Sequence, residues 1–365
     1  MEMRKKFDEI FEDCTKLGTK IKTDEYHSNG KHPIIDQGQE MVAGFTDLED
    51  GLLDAVPAIV FGDHTRIIKY VDCPFFLGAD GVKVLRSKVP NANYRYLYYA
   101  LKNAKIPNTG YNRHYKWLKE LEIEYPPIDQ QVKTVKVLDK VESIIYNRQN
   151  QLQKLDELVK ARFVEMFGDP VTNPMDWPTK PLLEMGYCKN GMNFHTGDSG
   201  IEMHCLGVGD FKDYSVIDGT DYLPTISLNE APPEESMLQD GDLVFVRSNG
   251  NKALVGRCLL VYPHNTPTTY SGFCIRYRLT SAEVNIAYLL RVLKTDSMRK
   301  KMAGRGANIQ NLNQQILAAL NIPTPPLELQ EWFTAFIEQI DKSKVAVQKS
   351  LDEAQLLFDS LMQHY

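Results

Sequence analysis

The chain has 365 residues, a formal net charge of −6, 43% hydrophobic and 25% charged residues. That length leaves room for two or three domains, and the composition is ordinary for a soluble globular protein. The acidic balance excludes a chain that is basic throughout, so any nucleic-acid surface must be local. The unbroken apolar stretches are also too short to span a membrane.

The N-terminus, Met-Glu-Met-Arg-Lys-Lys-Phe-Asp, has no apolar signal region, which fits a cytoplasmic protein. Residues 1–15 read as a short amphipathic helix with Phe7, Ile10 and Phe11 on one face. Short apolar runs punctuated by Gly, Pro and Asp follow at 57–61, 66–71 and 82–85, and these are strand signals. Residues 94–104 read as a helix whose tyrosines suit a core or interface better than a stacking platform. After a loop at 107–110 comes Tyr125-Pro-Pro-Ile-Asp-Gln-Gln131. From Asp129 to Met166 nothing interrupts a helix, because the stretch holds no Pro and no Gly.

A second module begins after Phe167-Gly-Asp-Pro170, with strand-like runs at 243–246, 257–262 and 273–278 and a helix at 286–294. It ends in Pro325-Pro-Leu-Glu-Leu-Gln330 and a second long helix. Pro126 recurs as Pro325, and 325 − 126 = 199 residues. The spacing of three and four picks out Leu138, Val141, Ile145, Arg148, Leu152, Leu155, Val159, Arg162 and Met166 in the first helix. The same offset gives Ile337, Ile340, Lys344, Val347, Leu351, Ala354, Phe358, Leu361 and Tyr365 in the second. This is a coiled-coil seam. A rod of 38 residues is roughly 57 Å long and is not stable alone in water, so the two are expected to pair. Two unrelated helices on separate cores would not explain the shared register and junction.

The modules match near their ends, where Leu101-Lys102 corresponds to Leu293-Lys294 and Asn112 to Asn311, and they differ in their middles. A common scaffold carrying different loops is the pattern expected of specificity modules. From Gly81 to Lys119 there is no Asp or Glu, yet there are Lys83, Arg86, Lys88, Arg95, Lys102, Lys105, Arg113, Lys116 and Lys119. Ser297 to Leu327 is likewise acid-free and holds Arg299, Lys300, Lys301 and Arg305. Two such tracts in an acidic protein suit a polyanion such as double-stranded DNA. Beside them lie groups able to read base edges: Gln37, Gln39, His64, Arg66, Tyr111, Asn112, Arg113, His114 and Lys116 in the first module. The second module offers Arg247, Asn249, Asn251, Lys252, Arg305, Asn308, Gln310 and Asn311. Asp63 and His64 fit a hydrogen-bonded turn as well as a DNA contact.

No P-loop, nucleophile elbow, H-E-x-x-H run or metal-ligand cluster is present, and Tyr125-Pro-Pro-Ile128 only superficially resembles the base-holding run of amino-methyltransferases. The six cysteines have no C-x-x-C spacing and read as reduced thiols. The chain is expected to bind and measure, with no catalytic residues and no metal site. A non-DNA scaffold presenting two ligand modules on a coiled-coil strut remains the rival class.

The order of module, Pro-Pro junction and long helix, repeated once, resembles the specificity subunit of bacterial type I restriction–modification enzymes. The resemblance rests on Pro126-Pro-Ile-Asp-Gln-Gln131, on Lys154 to Pro170 with Asn173-Pro174 and Trp177, and on Pro325-Pro-Leu-Glu-Leu-Gln330, and it covers essentially the whole chain. It implies an α/β (α+β) chain with target-recognition domains at 1–127 and 168–326 and spacer helices at 128–167 and 327–365. The helices would form an antiparallel coiled coil relating the domains by a pseudo-two-fold axis. Each domain would read half of a bipartite, asymmetric DNA target, and the spacer would set the gap. The implied partners are two methyltransferase subunits carrying S-adenosylmethionine and restriction subunits using ATP and Mg, with no cofactor on this chain. The second helix departs from the first in stopping at Tyr365, where the first continues into Phe167-Gly168.

Overall fold

The computed structural model describes residues 4–194, 197–211, 215–303 and 311–364. The chain forms two compact units, Met1–Gln151 with Val347–Tyr365, and Leu152–Ala346.

The first unit contains, in order, β1 (Arg4–Lys6), α1 (Phe7–Ile10), β2 (Phe11–Asp13), β3 (His32–Ile35), β4 (Gly44–Thr46), β5 (Ala58–Gly62), β6 (Ile68–Val71), β7 (Phe76–Leu77), β8 (Val82–Ser87), α2 (Tyr94–Lys102), α3 (Tyr115–Lys119) and β9 (Glu122–Glu124). It then enters α4 (Ile128–Phe167). The main sheet runs β2-β8-β5-β6 and is antiparallel throughout. A smaller sheet runs β4-β3-β7, with β3 parallel to β7. The helix expected over 1–15 is corrected to one helical turn between two strands. Phe7, Ile10 and Phe11 are buried as their pattern implied, but β1 pairs with β9 and β2 with β8. Distant strand partners outweigh local helical periodicity in so short a segment. The helix at 94–102 forms where expected, capped by Asn93, whose Oδ1 accepts from the Tyr96 N–H at 3.1 Å. Tyr96, Tyr98 and Tyr99 are buried in the core of this unit.

The second unit, entered along α4, contains β10 (Thr179–Pro181), β11 (Gly186–Asn190), β12 (Ile201–Leu206), β13 (Val216–Asp218), β14 (Thr225–Leu228), β15 (Asp242–Val246), β16 (Cys258–Tyr262), β17 (Thr268–Tyr270) and β18 (Cys274–Leu279). Then follow α5 (Ile286–Lys294), α6 (Asp296–Ala303), α7 (Gln314–Ala318), β19 (Asn321–Pro323) and α8 (Leu327–His364). The main sheet runs β11-β18-β15-β16-β13 and the smaller one β14-β12-β17, with β12 parallel to β17.

Strand for strand, β2-β8-β5-β6 corresponds to β11-β18-β15-β16, β4-β3-β7 to β14-β12-β17, and β1-β9 to β10-β19. The expectation that the modules are alike only near their ends is therefore corrected. Sequence likeness fades in the middles, yet the pairing order persists: the central strands β5 and β15 are buried at every position, which requires an apolar run and not particular residues. The second unit adds β13 at the sheet edge, parallel to β16, and has longer connections.

Both long helices start from the same device. Gln131 donates from Nε2 to the Pro126 carbonyl at 2.8 Å, and Gln330 donates to the Pro325 carbonyl at 2.7 Å. Both glutamines are buried, so the Pro-Pro-x-x-x-Gln spacing is a helix-entry lock. The first helix ends at Gly168, whose φ of +72° suits glycine, and an added Cβ would meet the Pro174 ring at 2.5 Å. Apart from Tyr365, which lies outside the described residues, the seam positions are all buried or half-buried. Leu138, Val141, Val159, Ile337, Val347 and Phe358 are buried, and Ile145, Leu152, Leu155, Ile340, Leu351 and Leu361 are half-buried. Within the first unit, α4 meets the end of α8: Leu138 and Val141 share a cluster with Phe358 and Met362, and Arg148 Nε donates to Ser350 Oγ at 3.2 Å. Within the second unit, α4 meets the start of α8: Asp156 lies 2.5 Å from Lys344, and the Phe163 and Phe333 rings are 5.6 Å apart. In each unit residue numbers fall along one helix as they rise along the other, so the pairing is antiparallel. No described helix is long and apolar enough to cross a membrane.

Candidate nucleic-acid interface

In the first unit three segments converge at the end of β5. Gln37 joins two of them: its Oε1 accepts from the His64 N–H at 3.1 Å, and its Nε2 donates to the Asp80 carbonyl at 3.0 Å. The Asp63 carbonyl accepts the His114 N–H at 2.8 Å, and Asp63 Oδ1 accepts the Tyr115 N–H at 2.7 Å. Arg66, at φ +63°, donates to the Ile106 carbonyl at 3.2 Å. The His64 ring stacks on Tyr111 with centroids 4.7 Å apart and planes within 10°. Tyr111 is 87% exposed, so the pair presents an aromatic face to solvent. Gln39 is exposed, and the Asn112 amide donates to the Thr109 carbonyl. Arg113 and Lys116 are exposed beside this face, with Lys116 Nζ over the Trp117 ring at 4.8 Å.

His114 is a correction to the sequence reading. It is 0% exposed, and its Nδ1 lies 2.9 Å from the Asp63 carbonyl. It is a strut beneath the surface and does not reach base edges; its Arg-His-Tyr setting carried no sign of burial. Asp63 belongs to the same buried turn.

The acid-free tract is not acid-free in space. Lys83 pairs with Asp13 at 2.9 Å, whereas Lys88 meets only a neutral acceptor, the main-chain carbonyl of Asp8, at 2.7 Å. Arg95 meets Asp139 and Glu142 at 2.5 and 2.9 Å, and Lys102 meets Glu142 at 3.1 Å. Burial pushes Glu142 up, but Lys102, Arg95 and Tyr99 outweigh it and hold the carboxyl below its ordinary value. Burial likewise opposes the charge on Arg95, yet its bonds to Asp139 raise it. Arg95 and Lys102 fasten α2 to α4. Lys105, Arg113, Lys116 and Lys119 remain exposed.

The second unit repeats the convergence at the end of β15. The Arg247 N–H donates to the Phe273 carbonyl at 2.8 Å, and its own carbonyl accepts the Leu312 N–H at 2.7 Å. The half-buried Arg247 guanidinium reaches the Gly272 carbonyl at 3.4 Å. Ser248 bridges to Asn311, Asn249 Oδ1 accepts the Asn251 N–H at 2.8 Å, and Asn251 Oδ1 accepts the Ala253 N–H at 3.0 Å. Lys252 is exposed on the same turn. The turn thus brings Arg247, Asn249, Asn251 and Asn311 to one edge; Arg305, Asn308 and Gln310 lie outside the described residues. Phe273, 62% exposed, stands at this edge and was missed in the sequence reading, because an apolar residue flanking a strand reads as core. The six cysteines are free thiols, and burial pushes Cys205 and Cys274 up to about 12. Among the described residues no cluster could hold a metal ion.

Residues 3–157 and 230–354 match the family described as Type I restriction modification DNA specificity domain. The chain belongs to that family. It is 27% identical over 180 residues to the type I restriction enzyme StySPI specificity subunit of Salmonella potsdam, covering 48% of this chain and 38% of that protein. It is 30% identical over 84 residues to the EcoR124I/EcoR124II specificity subunit of Escherichia coli, covering 22% and 21%. The chain thus matches well under half the length of these curated relatives. The crystal structure of a type I restriction–modification S subunit from M. genitalium has the same fold, with a TM-score of 0.57 at 16% identity over 98% of this chain and 94% of that one. A structure titled for complex assembly and conformational transition of the type I R-M system gives a TM-score of 0.55 at 16% identity, covering 99% and 96%. Family membership does not favour the non-DNA scaffold.

Proposed function

We propose that this chain is the sequence-reading subunit of a type I restriction–modification assembly. Each unit reads one half of a bipartite, asymmetric duplex target, and the length of α4 and α8 sets the gap between halves. The chain recognises and does not catalyse. Two methyltransferase subunits carrying S-adenosylmethionine, and restriction subunits using ATP and Mg, supply the chemistry.

One observation carries this reading: a single backbone frame bears two different edges. Asp63 and Arg247 each follow the corresponding strand and are fixed by the same pair of main-chain bonds, to Gly81 and His114 in one unit and to Phe273 and Leu312 in the other. On that frame one unit displays the His64–Tyr111 stack with Arg113, and the other displays Arg247, Asn249 and Asn311. A shared frame with unlike side chains suits recognition of unlike half-sites, because base edges are discriminated by donor and acceptor pattern. The test removes one heptad from both helices and maps methylation across a plasmid in cells supplying the partner subunits. The gap should change while both half-site sequences persist; altered half-site bases would refute the proposal.

A further inference from the structure

The second unit carries a cation cluster that the reading edge does not use. α2 and α5 are both nine residues long, both are capped by asparagine (Asn93 and Asn285), and both end in Leu-Lys. In the first unit that final lysine is neutralised, with Lys102 Nζ 3.1 Å from Glu142. In the second unit Lys294 Nζ donates to the Ser215 hydroxyl at 2.5 Å, and no carboxylate pairs with it among the described residues.

Lys294 lines a cleft of about 440 Å³ together with Lys160, Arg257 and Arg299, and Asp296 is the one carboxylate among its described lining residues. Arg299 is held by carbonyls, those of Ala253 at 3.1 Å and Val255 at 3.4 Å, so its charge is oriented but not cancelled. Burial above all pushes the Lys294 ammonium down; Cys258 pulls it back up, and the guanidiniums of Arg291, Arg299 and Arg257 each add a smaller push down. Burial and then Arg257 lower Arg299, against weaker pulls from Cys258 and Asp296. Like charges gathered in a concave, partly desolvated site are unfavourable until an anion enters. In an overall acidic chain such a cluster is not a by-product of composition.

We propose that this cleft binds a phosphate oxyanion, with Lys294, Arg257 and Lys160 as charged donors and Ser215 as the neutral one. Ammonium and guanidinium donors around a hydroxyl match phosphate chemistry. The oxyanion comes either from a duplex backbone, which rests on the DNA reading above, or from free phosphate, which does not.

The test titrates the full chain with inorganic pyrophosphate by calorimetry, for wild type, Arg257→Gln, the Arg257→Gln/Lys294→Gln double variant and Lys119→Gln. Saturable binding to wild type and Lys119→Gln is expected, weakened roughly tenfold, for a lost charge-assisted contact, in Arg257→Gln and abolished in the double variant. Melting temperatures without ligand identify any variant that fails to fold; the half-buried Arg257 makes the single substitution the milder one. A random-sequence duplex then serves as competitor. Displacement of pyrophosphate, or a fall of about one to two in the salt slope of duplex binding in the double variant, assigns the backbone source. Pyrophosphate binding untouched by duplex assigns free phosphate. Equal pyrophosphate binding in all four proteins overturns the site, as does no binding in wild type with an unchanged salt slope. Sequence-specific binding through Arg113 and Arg247 is scored separately, so failure here leaves the half-site reading standing.

Discussion

Replacing Phe163 by alanine should be among the most damaging single changes along α4. The ring is 4% exposed, with centroids 5.3 Å from Phe167, 5.6 Å from Phe333 on α8 and 6.0 Å from Tyr288 on α5. It therefore ties both long helices to the core of the second unit. Truncating a buried Phe costs about 3–5 kcal/mol in lost transfer energy and residual cavity, and each aromatic pair accounts for about 0.5–1.5 kcal/mol of such a loss. The neighbouring Val164 is 56% exposed and supplies the control, since Val164→Ala should stay within about 0.5 kcal/mol of wild type. Urea unfolding followed by tryptophan fluorescence suits the test, because Trp177 and Trp332 both lie in the second unit. Phe163→Leu should recover part of the loss by refilling the cavity. Equal costs for Phe163→Ala and Val164→Ala would refute the assignment of the seam face.

Glu142→Gln tests the α2–α4 fastening. A carboxyl held below its ordinary value contributes stability that is present above 4.5 and lost as the pH falls through its folded value. The variant should be about 1–2 kcal/mol less stable at neutral pH, and the difference should close in acid-unfolding curves below pH 4.5. Adjacent residues 113 and 114 should separate binding from folding. Arg113→Ala should leave the melting temperature unchanged, weaken duplex binding and lower the salt slope by about one. His114→Ala should instead cost about 1–3 kcal/mol by deleting the buried ring and its side-chain bond to the Asp63 carbonyl, which keeps only the main-chain N–H of residue 114; thermal melts would report the loss. Tyr111→Ala should lower duplex affinity by about 1–3 kcal/mol if its exposed face stacks on a base, and unchanged affinity in a gel shift with the partner methyltransferase would remove it from the interface.

Much of this architecture was legible in the chain itself. The offset of 199 residues and the spacing of three and four placed both helices and their seam, because helical periodicity and helix-breaking residues are local properties. The short apolar runs likewise marked β5, β8, β15, β16 and β18. The first fifteen residues misled because their helical pattern is brief and their partners lie 72 to 120 positions away, at Glu122–Glu124 and Leu85–Ser87. The basic tract misled in another way. Charge counted along the sequence does not see Asp13, Asp139 and Glu142, which folding brings to Lys83, Arg95 and Lys102.

Sequence alone therefore determined the duplication, the paired helices and the family resemblance, since each rests on periodicity or on motifs within a few dozen residues. Only the tertiary structure decided which polar residues face solvent. His64 stacks outward on Tyr111 while His114, of the same residue type, is sealed beneath it. Lys102 is answered by Glu142 while its counterpart Lys294 meets a hydroxyl. Exposure and pairing depend on neighbours far away in the chain, and no local pattern encodes them.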